Sequence, residues 1–276
     1  MTAPLGPLCA DCDTRARSSY VHVSGAARGS YDAELFRVLE RLEQKSFWFR
    51  SRNRLIVGAL VRYFPEAEHF LEVGCGTGFV LAGVRKELTH LQLMGSELST
   101  EGLEVARRRV PGVPLIQMDA RDVPFVDTFD AVGVFDVLEH IEDDETVLRE
   151  LSSAVRPGGG LLVTVPQHPR LWSAADDFAG HVRRYTRGEL LGKARRTGWK
   201  PLRITSFVSL PLPFFVLSRL LGARSADDYD FEREFRLPRL LDRSFEGLIG
   251  IERALMRCGV SFPAGASLLL AARRVR

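Results

Sequence analysis

Three glycines, Gly74, Gly76 and Gly78, stand at alternate positions directly behind the apolar run Phe70-Leu71-Glu72-Val73. The segment after them, Phe79 to Val84, reads as the first turns of a helix. A strand, a tight turn and a helix start bring unpaired backbone N–H groups to a place where small residues let a ligand touch the main chain. Carboxylates recur around this turn. Glu72 lies at the end of the first strand, Glu97 in "MGSELS" follows at the end of the second, 23 positions after Gly74, and Asp119 in "IQMDARDVPF" comes after the third. Such a turn suits a polar or anionic ligand, and two cofactor classes fit it. The dinucleotide fingerprint GxGxxG is missed, because Phe79 occupies the position of the third glycine.

A second constellation lies in "DDFAGHVRRYTRGEL", residues 176 to 190. His181 is expected near a reacting group as a base or hydrogen-bond partner, with Arg183, Arg184 and Tyr185 binding an anionic or polar part of a substrate. The competing reading makes "RRYT" a surface charge run leading to a helix capped at Thr186, with Glu189 as its box partner.

These groups need a frame. From Phe70 onward short apolar runs alternate with amphipathic stretches, the pattern of parallel strands joined by crossover helices. Strands are expected near 70–73, 91–95, 114–117, 129–135 and 160–165, and helices near 78–88, 99–110, 143–155 and 186–197, with "RPGGG" at 156–160 as a helix stop. Leu202 to Val208 and "SLLLAARR" add two strands, for a seven-stranded sheet. Ahead of the sheet, Leu35, Val38, Leu39 and Leu42 form one helical face, and a second helix is expected from about Arg52 to Tyr63, with the aromatic knot Phe47-Trp48-Phe49 between the two. Late in the chain, Leu237, Leu240, Leu241, Phe245, Leu248, Ile249, Leu255 and Met256 recur at helical spacing, while Pro211 and Pro213 disfavour a continuous helix in the apolar run before them.

The 276 residues are 45% hydrophobic, ample for a packed core. Thirty-eight Lys+Arg against 35 Asp+Glu leave a surplus of three positive charges, too few for a face built to bind nucleic acid, and no nucleic-acid partner is expected. The longest uncharged run, Ile204 to Ser218, is too short to cross a membrane, and Met1 to Leu8 lacks the features of a signal peptide, so a cytoplasmic protein is expected. Cys9 and Cys12 form a single CxxC pair without a second pair at ligand spacing; they read as incidental thiols, and no metal is expected.

The turn ExGxGxG, Glu97, Asp119-Ala120 and the long segment "FDAVGVFDVLEHIEDDETVLRELSSAVRPGGGLLVTVP" resemble, in order and at matching intervals, the motifs of the class I S-adenosylmethionine-dependent methyltransferases. The likeness covers residues 47 to 200 well. The ending "SFPAGASLLLAARR" is loosely similar to that of bacterial small-molecule and cell-envelope members, and residues 1 to 30 lie outside the resemblance. It implies S-adenosylmethionine as cofactor, with S-adenosylhomocysteine as product, held by Glu72, Gly74, Cys75, Gly76, Gly78, Glu97, Leu98, Asp119, Ala120 and Asp136. In that arrangement Glu72 faces the ammonium, Glu97 takes the ribose hydroxyls, and Asp119 with the adjacent backbone meets the adenine amino group. Asp136 faces the cofactor's reactive end as a catalytic residue beside His181 and Tyr185, or else caps the helix that follows. Trp48 and His140 join Arg183 and Arg184 on the substrate side, although His140 serves equally well as a packing residue.

The fold so implied is α/β and Rossmann-like: a seven-stranded, mostly parallel sheet with helices on both faces. A flexible extension at 1–30 and helices at 31–66 precede the methyltransferase domain at 67–276, in which an apolar, helical insertion at about 209–257 covers the substrate. The expected reaction moves a methyl group to a small-molecule or lipid-like acceptor, with segment 209–221 either lining the acceptor pocket or resting on a membrane surface. Two alternatives remain: a protein that binds the cofactor without methylating, such as a cyclase or regulatory binder, and a nicotinamide oxidoreductase, which Phe79 disfavours.

Overall fold

The computed structural model describes residues 33–221, 232 and 236–275. The expected extension at 1–30 with Cys9 and Cys12, and all of the acidic loop 225–232 except Glu232, lie outside the described residues.

Seven strands form one sheet: β1 (His69–Val73), β2 (Gln92–Glu97), β3 (Leu115–Gln117), β4 (Phe129–Phe135), β5 (Val155–Pro166), β6 (Trp199–Phe207) and β7 (Ser267–Arg274). Their order is β3-β2-β1-β4-β5-β7-β6. Neighbours from β3 through to β5 run parallel, and β7 is antiparallel to both β5 and β6. The chain runs outward from β1 to β3 and then returns to β4 on the other side. The crevice at the carboxyl ends of β1 and β4 is therefore the switch point where open parallel sheets bind ligands.

The helices are α1 (Ala33–Glu43), α2 (Phe47–Tyr63), α3 (Phe79–Glu87), α4 (Thr100–Arg109), α5 (Asp144–Ala154), α6 (Ala174–Phe178), α7 (Arg187–Arg196), α8 (Leu212–Leu221) and α9 (Arg239–Arg257), with a 3-10 turn at Leu138–His140. Strand residues alternate between the two faces of the sheet. Leu71, Val132, Leu161, Val163 and Leu270 meet Val147, Leu148 and Leu151 of α5 and Leu190 and Ala194 of α7, all buried. Phe70, Ala131, Leu162, Leu269 and Ala271 meet Ile56 and Leu60 of α2, Leu81 and Val84 of α3, and Phe245 and Ile249 of α9. Truncating any one of the fully buried leucines to alanine should cost about 2–5 kcal/mol.

Three local expectations are corrected. The aromatic residues Phe47, Trp48 and Phe49 lie inside α2, not between two helices. The Ser46 side chain accepts the Trp48 N–H, and Asp242 Oδ1 in α9 accepts the Phe47 N–H at 2.7 Å, so the helix start is satisfied from a segment distant in sequence. Residues 156–160 do not simply end α5. They belong to β5, which pairs Val155 with Phe129 and Gly160 with Ala131 across a register irregularity. A Cβ at Gly160 would come 2.3 Å from the Phe64 ring, so only glycine lets the strand pass. Finally, Pro213 sits in the first turn of α8, where a missing N–H removes no helical bond.

Candidate active site

A cavity of about 870 Å³ opens along the carboxyl edge of the sheet. Glu72, Gly74, Cys75, Gly76, Glu97, Leu98, Asp119, Ala120 and Asp136 line it, as do Trp48, His140, His181 and Arg184. Gly78, Arg183 and Tyr185 do not.

The glycine turn is built by left-handed backbone. Gly74 has φ +71° and Gly76 φ +53°, conformations that side chains disfavour. A Cβ on Gly74 would come 2.4 Å from Val137 Cγ2, whereas one on Gly76 would meet no protein atom, so the turn has clear space before it. Gly78 serves packing: its Cβ position is 3.1 Å from Ala106 in α4.

Glu97 is clamped from both sides. Its Oε2 accepts the Gly76 N–H at 2.9 Å, and its Oε1 accepts Leu98 N–H at 2.8 Å and Ser99 N–H at 3.1 Å. Ser99 in turn caps α4 through Gly102 N–H. The carboxylate is thus fixed at the turn with lone pairs to spare. Glu72 is different. It is 2% exposed, its Oε2 has no hydrogen-bond partner, and burial pushes its carboxyl up to about 8 against the pull of Arg52. Such a group asks for a cation. Asp119 makes a turn, accepting Arg121 N–H at 2.9 Å and the Arg121 guanidinium at 2.6 Å, which holds its carboxyl below the usual range. The Cys75 thiol is buried and pushed up by burial and by Glu72 and Glu97, so it stays protonated.

Asp136 does not cap the turn that follows: the cap residue there is Val137, with no side-chain hydrogen bond. With φ +55°, Asp136 accepts from the Thr164 hydroxyl at 3.1 Å, and its Oδ2 lies 2.6 Å from Arg52 Nε. Arg52 is the main residue that the sequence reading missed. It is nearly buried, donates to Phe135 O at 3.0 Å, and stacks 5.2 Å from the Trp48 ring. An arginine on an amphipathic helix carries no local mark of facing inward. Glu43 was missed likewise. It accepts from the Thr77 hydroxyl at 2.6 Å and pairs with Arg109, tying α1 to the glycine turn.

At the other end of the cavity, His181 Nδ1 lies 2.9 Å from Asp176 Oδ1, and Asp176 also receives Arg184 Nε at 2.7 Å. His181 and Arg184 hold the Asp176 carboxyl far below its usual value despite burial. The His140 ring packs edge-on against His181, centroids 4.7 Å apart; burial, then His181, lower it to about 4, so it is neutral at physiological pH. Two expected site residues turn out to be structural. Tyr185 is fully buried, donating to Asp144 Oδ2 at 2.6 Å, and burial raises its phenol far above ordinary values, so the catalytic role expected for it is withdrawn. Arg183 is drawn off to the same Asp144 at 2.8 Å and to Glu142 O. Thr186 caps α7 through Glu189 N–H, the one part of the competing reading that holds, since Arg184 and Tyr185 are buried and are no surface run.

An open, mainly parallel sheet with a glycine turn after β1 and carboxylates at the tips of β1 and β2 is the Rossmann-like arrangement expected from the sequence. Residues 71–163 match the family described as a methyltransferase domain. The chain is similar to the O-methyltransferase cnsE of Penicillium expansum, 37% identical over 130 residues, which are 42% of this chain and 46% of that protein. The chain spans about half, or less, of the length of the curated relatives it matches. Among solved structures, phosphoethanolamine N-methyltransferase 2 of Haemonchus contortus in complex with S-adenosyl-L-methionine superposes with a TM-score of 0.60 at 18% identity, covering 90% of this chain and 59% of that one. The cyclase SpnF superposes with a TM-score of 0.57 at 18% identity, covering 88% and 94%. At these identities the likeness is one of fold.

Proposed function

We propose that the chain is an S-adenosylmethionine-dependent methyltransferase acting on a small organic or lipid-like acceptor. The observation that carries this reading is the pair of carboxylates at the glycine turn: Glu97 fixed by three backbone N–H groups, and Glu72 buried with an unpartnered oxygen. Both suit a ligand with an ammonium and ribose hydroxyls and are unsuited to a diphosphate. The methyltransferase domain match over 71–163 supports it as well.

In this reading Gly74 and Gly76 present open backbone, Glu97 accepts the two ribose hydroxyls, Glu72 balances the ammonium, and Asp119 and Ala120 border the adenine. When bound, the cofactor supplies an electrophilic methyl carbon on a sulfonium. The chain's own task is alignment and exclusion of water. Asp136, held by Arg52 and Thr164, lines the cavity. His181, whose Nδ1 lies 2.9 Å from Asp176 Oδ1, lines the cavity at the acceptor end. The aromatic rings of Phe47, Phe214, Phe215 and Phe245 pack together over the apolar end, where Leu212, Phe215 and Val216 of α8 line the cavity. This cover suits an apolar acceptor.

The test is incubation of the purified protein and S-adenosylmethionine with a panel of phenols, quinols, amino sugars and fatty acids, with mass detection. Formation of S-adenosylhomocysteine together with a product heavier by one methyl group is the expected result. A product formed without loss of the donor would instead favour the cyclase alternative, and no conversion of any acceptor would count against the proposal.

A further inference from the structure

The acceptor end of the cavity holds a buried carboxyl group with an unpartnered oxygen. Glu139 is 1% exposed, and its Oε2 has no hydrogen-bond partner. The two nearby arginines are already engaged, Arg52 with Asp136 and Arg184 with Asp176. A carboxylate left this way is costly unless something occupies the space before it.

Two imidazoles face the same space. Asp176 Oδ1 is 2.9 Å from His181 Nδ1 and claims its proton, so in the neutral ring the lone pair sits on Nε2, 4.0 Å from Glu139 Oε1. The loop carrying His181 is pinned to the Glu139 turn by Val182 N–H donating to Glu139 O at 2.7 Å. His140 stands edge-on to His181. One donor atom from each of the three side chains lies within 4.8 Å of the other two.

We propose that Glu139, His140 and His181 form a binding site for a divalent transition-metal ion, open on its remaining sides to the cavity. Adjacent donors around an ion with bonds of about 2.1 Å stand roughly 3 Å apart, so small side-chain rotations close the set. Two imidazoles and one carboxylate favour manganese, iron or zinc over magnesium or calcium. Asp176 behind His181 is the outer carboxylate that orients and strengthens a ligating imidazole. The ion supplies the positive charge that Glu139 lacks, and its open positions fit an acceptor bearing a hydroxyl or carboxylate oxygen. The expectation that no metal binds rested on cysteine spacing, whereas these ligands come from the turn after β4 and the loop after β5. The ion's part in the reaction rests on the methyltransferase reading; its binding does not.

The test is titration of the chelator-treated full chain with Mn²⁺, followed by the loss of the free-ion electron paramagnetic resonance signal. Manganese is used because the four cysteines would compete for zinc but are poor ligands for it. One ion per chain is expected, with affinity at least about tenfold weaker in both Glu139→Gln and His181→Ala. In the same samples Glu139→Gln should bind S-adenosylhomocysteine as the parent does, which also shows that the variant is folded. No saturable Mn²⁺ binding by the parent, or the same affinity in both variants, would overturn the site. A parent that binds S-adenosylhomocysteine but no Mn²⁺ sinks the ion site and leaves the methyltransferase reading standing; Mn²⁺ binding without the nucleoside does the reverse.

Discussion

The two halves of the cavity are built by different means. Around the glycine turn, Glu97 is held by backbone N–H groups from Gly76, Leu98 and Ser99, all within one strand–helix–strand unit. Around the acceptor end, His181 is held by a side chain, Asp176, itself held by Arg184, while Arg52 reaches in from α2 and α8 supplies Leu212, Phe215 and Val216 to the lining. Main-chain geometry is available to any sequence that makes the turn. Side-chain positioning must be specified residue by residue, and it is the half that can change with substrate. The nucleoside half and the acceptor half should therefore respond separately to substitution.

The largest effect is expected from His181→Ala. Turnover should fall about 10²- to 10⁴-fold, the range for a group acting on the reacting atoms, while affinity for S-adenosylhomocysteine changes less than about twofold. A parallel loss of nucleoside affinity would dissolve the distinction between the halves. Glu97→Ala should do the opposite. Losing two charge-assisted hydrogen bonds at about 1.5 kcal/mol each weakens nucleoside binding by roughly 100-fold, read by calorimetry.

Glu72 sharpens the comparison through pH. Its carboxyl titrates near 8 in the ligand-free fold because of burial, with Arg52 opposing and Glu43 and Glu97 adding to the rise. A bound ammonium requires the ionised form, so affinity for S-adenosylmethionine should rise up to tenfold per unit between about pH 5.5 and 7.5, with release of a proton. In Glu72→Gln this slope should vanish. The same shift has a stability consequence of opposite sense. Between about 4.5 and 8 the unfolded chain has lost a proton that the fold retains, so ligand-free stability from this group should fall as pH rises, measurable by denaturant unfolding.

The smallest effect on activity is expected at Tyr185. Tyr185→Phe removes a buried hydrogen bond to Asp144 and should cost about 1–3 kcal/mol of stability, with turnover nearly unchanged. A drop in turnover beyond about tenfold at full folding would restore it to the chemistry.

All seven strands were legible, because apolar runs with turn residues between them have few other fates in a chain of this composition. The residues at the strand tips were legible for the same reason: they follow their strands at fixed intervals. What escaped was tertiary. The start of α2 is completed by Asp242, almost two hundred positions away, so the local sequence around Phe47 could not announce it. Arg52, Glu43 and Asp176 are charged residues that face inward only because partners arrive from other elements. Tyr185 next to two arginines looked like a binding residue, yet the following helix cap at Thr186 turns its ring into the core.

The most direct test is isothermal titration of the purified chain at neutral pH with S-adenosylmethionine, with its demethylated product and, separately, with NAD. Saturable one-to-one binding of both sulfur nucleosides and none of NAD is the predicted result. Absence of saturation with either sulfur nucleoside, or comparable binding of NAD, would contradict it.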